Sequence, residues 1–291
     1  MRTRPPTLLW TVLLTVPFGS LARGEADLWD MSLALRVSAR NASGAVVVLL
    51  PPTDERQRLD EVRVASRGLA LAEDGSSVRF RVPPRTTRRV RLDARIAVAR
   101  PETAELPEVP LYPAFPDELL PYASPAPLFP SRSILVREFL ERHAAPPLRE
   151  GRKDLVRVLL DVVRAEIRHR RKGKTLVLDV LRKREAKRIG IERTFVTFLR
   201  CAGVPARFVE GVDLGSTTRK KRVFWTEFWY DGRWWSASAS RGWTGAPPSS
   251  YVALARDGER PVRVEGPVTV DYRVSGLRLV PTPKEATPGA E

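Results

Sequence analysis

The sequence predicts an α+β protein in two parts, an N-terminal antiparallel β-sandwich followed by helices packed on a second antiparallel sheet. Three observations carry this. Residues 27–100 alternate apolar and polar side chains with a period of two, and residues 132–203 carry apolar side chains at helical spacing. After Gly203 the period of two returns, with Asp231-Gly232 as a two-residue hairpin signal. At 291 residues the chain is too long for one small domain, and 43% apolar residues are enough for a core in each of two.

In chain order, residues 1–24 read as a secretory signal peptide. Met1-Arg2-Thr3-Arg4 is a basic start, Leu8 to Val16 a short apolar core, and Ser20-Leu21-Ala22 a small-x-small cleavage site. The apolar run is short for a bilayer span and no other segment approaches such a length. The expectation is an exported chain without a transmembrane bundle, in the periplasm or cell envelope. A single cysteine, Cys201, permits no intramolecular disulfide, which suits a bacterial envelope better than an animal secretory route. The net charge of +16 points to anionic surroundings such as a membrane surface or an envelope polymer.

Residues 25–100 form the expected sandwich. "SVRFRVPP" sets Val78, Phe80 and Val82 against Arg79 and Arg81, and "RVRLDARIAVA" alternates through Val90, Leu92 and Ala94. Residues 101–131 are a proline-rich connector in which regular helix or sheet is not expected, packed through Leu111, Tyr112, Phe115 and Tyr122. Residues 132–280 make the second domain, and residues 281–291 a disordered tail. Within the second domain, "SILVREFLERHA" is a helix. "KDLVRVLLDVVRAEIRHRRKG" is a longer one, with Arg168, Arg170, Arg171 and Lys172 in its last turn and Gly173 as its stop. "TLVLDVLRKR" and "IERTFVTFLRCAG" follow, the latter ended by Gly203. "RVFWTEFWYDGRWWSASAS" is an aromatic hairpin.

Cysteine chemistry at Cys201 needs a base within hydrogen-bond reach, and the only histidines, His143 and His169, lie upstream. Cys201 also falls in the last turn of its helix, where the dipole gives a thiolate no support, so it reads as a packing residue. The histidines and cysteine match no zinc pattern, and no phosphate loop or nucleophile elbow is present, so neither a metal nor another cofactor is implied. Basic clusters at 168–174, 182–188 and 219–222 raise nucleic acid as a partner. The aromatics, however, follow the period of a core and export removes the chain from nucleic acid, so none is expected.

The order of a helix, "LRCAGVPARFVEGV" and "FWTEFWYDGRWWSASAS" resembles the transglutaminase-like branch of the papain-like fold. The carrying motifs are Leu199 to Arg207, Trp225-Thr226-Glu227 and Gly232-Arg233-Trp234, over residues 150–245. The proline-linked β-domain is similar to the bacterial branch called inactive transglutaminases. The resemblance implies a Cys-His-Asp triad at positions that here hold Arg188, Val223 and Ser238. It therefore implies an exported non-catalytic protein, a pseudoenzyme, that binds a peptide, an envelope polymer or a partner protein. Arg188, Trp225, Glu227 and Trp234 are the candidate binding residues. Two readings of Arg188 are open: it turns to solvent or pairs with Glu192 or Glu227 and fills the old cleft, or it forms an anion site with the free N–H groups at the start of its helix, walled by Trp225 and Trp234. Two alternatives stand beside this: a hydrolase or transferase using Ser238 or Glu227 in the same cleft, and a structural envelope module acting through the β-domain.

Overall fold

The computed structural model describes residues 10–12, 26–66, 69–73, 75–100, 106–149, 154–216 and 221–279. The expected signal peptide is described only at 10–12, and the expected tail lies outside these residues.

The first part is a two-sheet sandwich. Its strands are β1 (Trp10–Val12), β2 (Ala26–Ala39), β3 (Gly44–Leu49), β4 (Gln57–Ser66), β5 (Ala70–Glu73), β6 (Ser77–Val82) and β7 (Thr86–Ala99). Two more come from the far end of the chain, β15 (Val262–Glu265) and β16 (Val268–Leu279). One sheet runs β1-β4-β7-β2-β16, the other β15-β3-β6-β5, and every pairing is antiparallel. Alternation puts Val37, Val46, Phe80, Val82, Ile96 and Val98 between the sheets, where each is fully buried. The sequence assigns residues 132–280 to the second domain, whereas 262–279 belong to the sandwich. Their alternation reads the same in either sheet, so only long-range pairing decides.

The connector is not free of regular structure. A 3₁₀ turn at Asp117–Leu119 leads into α1 (Leu120–Ala123), and Pro121 is tolerated because it lies in the first turn, where its missing N–H has no partner to lose. Val109, Leu119 and Phe129 are its buried anchors, while Leu111 and Tyr112 are exposed.

In the second part, α2 (Ile134–His143), α4 (Leu155–Glu166) and α5 (Val177–Lys183) pack on α6 (Arg188–Cys201), with α3 (Ala145–Arg149) against α2 and α4. On the other side of α6 lies a sheet of β10 (Ala206–Asp213), β11 (Lys221–Tyr230), β12 (Arg233–Ser238), β13 (Trp243–Thr244) and β14 (Tyr251–Arg256), in the order β13-β12-β11-β10-β14. Held between layers, α6 buries Phe195, Val196, Phe198 and Leu199 completely. It ends in a Schellman arrangement: Gly203, at φ 77°, donates to the Arg200 carbonyl and Val204 to that of Leu199. The hairpin turn has positive φ at both Asp231 and Gly232, as a type I′ turn requires.

The long basic helix is shorter than its sequence suggests. α4 stops at Glu166, Ile167 turns into the core, and β8 (Arg168–Lys174) follows as a strand beside β9 (Glu185–Ala186). A helix would stack Arg168, Arg171 and Lys172 three and four residues apart with like charges facing. Gly173 is no helix stop: a Cβ there would sit 2.4 Å from the Ala186 backbone, so the glycine permits a close approach of chains.

Candidate functional site

Arg188 opens α6, with Lys187 at the N-cap giving no side-chain cap. Its guanidinium is exposed, and among the described residues no ion pair reaches it. One turn further on, Glu192 is fully buried. Its carboxylate accepts four hydrogen bonds. Oε1 takes Ser238 Oγ at 2.6 Å and the Ser240 N–H at 2.9 Å, and Oε2 takes Thr226 Oγ1 at 3.1 Å and the Ala239 N–H at 3.3 Å. Burial pushes its pKa up, against the pull of these donors. Ser238, itself fully buried, is thus tied to α6 through Glu192.

Val223 lies on the other face of β11, opposite Gly211 on β10, in a buried cluster with Val209, Trp225, Tyr251 and Ala253. Burial raises the Tyr251 phenol, while the charges of Arg241 and Arg188 oppose it. Ser238 is tied to α6 through Glu192, whereas Val223, three residues from Thr226 on β11, lies on the face of the sheet turned away from α6, so the structure does not bring the three positions together.

The other candidates do not surround Arg188. Trp225 is fully buried, donates from Nε1 to Glu227 Oε1 at 3.1 Å, and has Arg56 5.5 Å from its ring centroid, so it cannot wall an open site. Trp234 sits at the opposite end of β12 from Ser238. Arg207 stacks 3.8 Å from its ring centroid, and Tyr122 and Trp229 meet it edge-on. Glu227 pairs with Arg207 Nε at 2.6 Å and lies 3.5 Å from Arg256 Nε, and Arg256 pairs in turn with Asp54 of the sandwich. Burial alone would raise the Glu227 carboxyl, but Arg207 and Arg256 hold it below the usual range. Burial lowers Arg56, beside the same group, to about 10. Glu227 is thus a buried joint between the two parts, and its partners exclude the expected pair with Arg188. Neither does Glu192 pair with Arg188, its lone pairs being taken.

Cys201 is half-buried against the helical core, and burial raises its thiol, the opposite of what a nucleophile requires. His143 Nδ1 lies 3.2 Å from Glu166, while His169 is exposed on β8. Sequence reasoning gave Glu192 no role beyond a partner for Arg188, and it missed Arg56 and Asp54. A glutamate amid the apolar run of α6 is the one available signal for the first.

The family model described as the transglutaminase-like superfamily matches residues 142–239. These residues form a transglutaminase-like domain. The match takes in Arg188, Val223 and Ser238. Among solved structures, the chain is similar to a putative cysteine protease from Cytophaga hutchinsonii, with TM-score 0.66 and 14% identity over 88% of this chain and 91% of that one. At that identity the likeness shows the fold, the sandwich together with the transglutaminase-like domain. A TGase structure aligns at TM-score 0.31 and 10% identity over 60% of this chain and 44% of that one, too weak a likeness to support an argument. No curated protein matches the chain.

Proposed function

We propose that this is an exported, non-catalytic transglutaminase-like protein of the inactive branch, acting in the periplasm or cell envelope by binding a peptide, an envelope polymer or a partner protein. One observation carries the reading: the three positions that the resemblance gives to cysteine, histidine and aspartate hold an exposed arginine, a buried valine and a buried serine whose hydroxyl is committed to Glu192. Arginine stays protonated at working pH and cannot attack an acyl carbon. Arg188, exposed at the start of α6 and without an ion pair among the described residues, instead favours an acidic ligand, such as a carboxylate-bearing peptide or polymer.

A second reading, a hydrolase or transferase using Ser238, is favoured by the 2.6 Å bond from its hydroxyl to a carboxylate that could serve as base. Against it, both groups are fully buried, so an acyl substrate has no path to the hydroxyl. Amide hydrolysis and amine incorporation by the purified protein separate the two. The expected result is no turnover in the parent, with Cys201→Ser indistinguishable from it. Turnover that Ser238→Ala abolishes and Cys201→Ser spares would establish the second reading. Arg188→Ala should leave thermal stability unchanged or slightly raised and weaken binding to acidic peptides in a salt-dependent way. Equal binding by the variant would move the surface elsewhere.

A further inference from the structure

The basic run that the sequence placed in a helix has another use as a strand. β8 meets Ala186 of β9 at His169, leaves it, and returns to the same residue at Lys174. Arg170, Arg171 and Lys172 fill the excursion, all exposed, with Gly173 pressed against the Ala186 backbone beneath them. The backbone N–H of Lys187 donates to the Lys174 carbonyl at 3.0 Å, and that of Arg168 to the Arg184 carbonyl at 2.8 Å. The end of α5 and the N-cap of α6 therefore lie against the same ribbon. Local acids are accounted for: Glu185 lies near Arg170, Asp179 near Arg182, and Glu166 holds Arg184 and His143. Among the described residues, Arg168, Arg171, Lys172, Lys174, Lys183 and Lys187 have no carboxylate partner and all are exposed. At the end of the ribbon Leu176 is 53% exposed.

From these features we infer that the β8 ribbon docks the protein on an anionic lipid surface, with the cations on the headgroups and Leu176 in the interfacial layer. Charge complementarity selects an anionic partner. Two features favour lipid over nucleic acid. No Phe, Tyr or Trp occurs between Phe139 and Phe195, so the ribbon offers bases nothing to stack on. An exposed leucine at the end of a basic ribbon gains by entering an interface and gains nothing from a linear polyanion. The inference uses neither Arg188 nor the triad positions, so it stands or falls apart from the proposed function.

Co-sedimentation of the full chain with phosphatidylcholine vesicles, with and without phosphatidylglycerol, tests it. Binding should require phosphatidylglycerol and weaken as salt rises. The triple variant Arg170→Gln, Arg171→Gln, Lys172→Gln should bind about a hundredfold more weakly, at about fivefold per charge removed. Leu176→Ser should weaken vesicle binding several-fold and leave binding to soluble polyphosphate unchanged. Thermal melting confirms that each variant is folded. A control removing three sandwich cations, Arg81→Gln, Arg88→Gln, Arg89→Gln, should lose far less. The inference is overturned by failure to bind anionic vesicles at low salt, by equal binding of the triple variant, or by an equal loss in the control. Polyphosphate bound as tightly as vesicles, with Leu176→Ser without effect, would make the partner a linear polyanion and overturn it too.

Discussion

Glu192 and Glu227 are both fully buried carboxylates within the transglutaminase-like domain, and their surroundings push them in opposite directions. Glu192 has only neutral donors around it, so burial wins and its pKa rises. Glu227 faces Arg207 and Arg256, so the charged form wins and its pKa falls. Linkage fixes the sign of each effect. The contribution of Glu192 is fully present below the ordinary glutamate value of about 4.3 and is lost as pH rises through its folded value. The contribution of Glu227 is present above about 4.3 and is lost as pH falls through its folded value. Glu192→Gln should therefore gain on the parent as pH rises from about 4.3 toward neutrality. Glu227→Gln should fall behind over the range just below about 4.3 and stay behind, by about 3–5 kcal/mol at neutral pH, since it leaves buried arginines without their counter-charge. Urea unfolding of the three proteins between acid and neutral pH measures both slopes, and parallel slopes would refute the assignment. At this scale the sequence was only partly legible. That Arg188, Val223 and Ser238 stand where a triad would is what the resemblance implies. The partner that Ser238 takes was not legible, because hydroxyl-to-carboxylate contacts depend on side chains brought together across strands.

The strands of the second sheet show how one residue without a side chain can shape a site. Gly211 lies opposite Val223, and a Cβ there would come within 2.4 Å of the Val252 carbonyl oxygen and 2.6 Å of the Trp225 ring. The glycine leaves room for the indole against β10, and the indole N–H donates to Glu227. Gly211→Ala should destabilise the protein by about 1–3 kcal/mol through overpacking. The change should appear as a lower melting temperature together with altered tryptophan fluorescence, and an unchanged melt would show that the strand yields freely. Element types with a strong period or a firm stop were legible in advance: α6 with its Gly203 cap, the Asp231-Gly232 hairpin, and the alternating strands β6 and β7. Elements whose pattern is broken by charge were not. β4 carries a register shift between Leu59 and Glu61 that moves Val62 and Val64 back to the inside, so no clean alternation survives in the sequence. β8 has no apolar side to reveal it, and a run of cations after an amphipathic helix reads as more of that helix.

At the scale of the molecule the two parts do not separate along the chain. β15 and β16 leave the transglutaminase-like domain and complete the sandwich, β16 pairing with β2 from Val268↔Ala39 to Leu279↔Leu28. Val212, Val252 and Leu254 from the second sheet, with Leu214 just after β10, share a core with the sandwich strands. Gln57 of β4 copies a strand edge, donating to the Ala253 carbonyl at 3.1 Å and accepting from its N–H at 2.8 Å. The Asp54–Arg256–Glu227–Arg207 chain of charges runs across the same boundary. With apolar, hydrogen-bonded and charged contacts all crossing it, neither part can lose its structure and leave the other intact. The full chain should therefore unfold in a single calorimetric transition. Removing residues 261–291 should lower the melting temperature of the whole protein, not only of the sandwich. It strips one neighbour from β2 and one from β3 and leaves both as bare edges, so light scattering should also show association. A truncated chain that melts at the parental temperature, or a parent that shows two separate transitions, would mean that the shared core does not couple the parts.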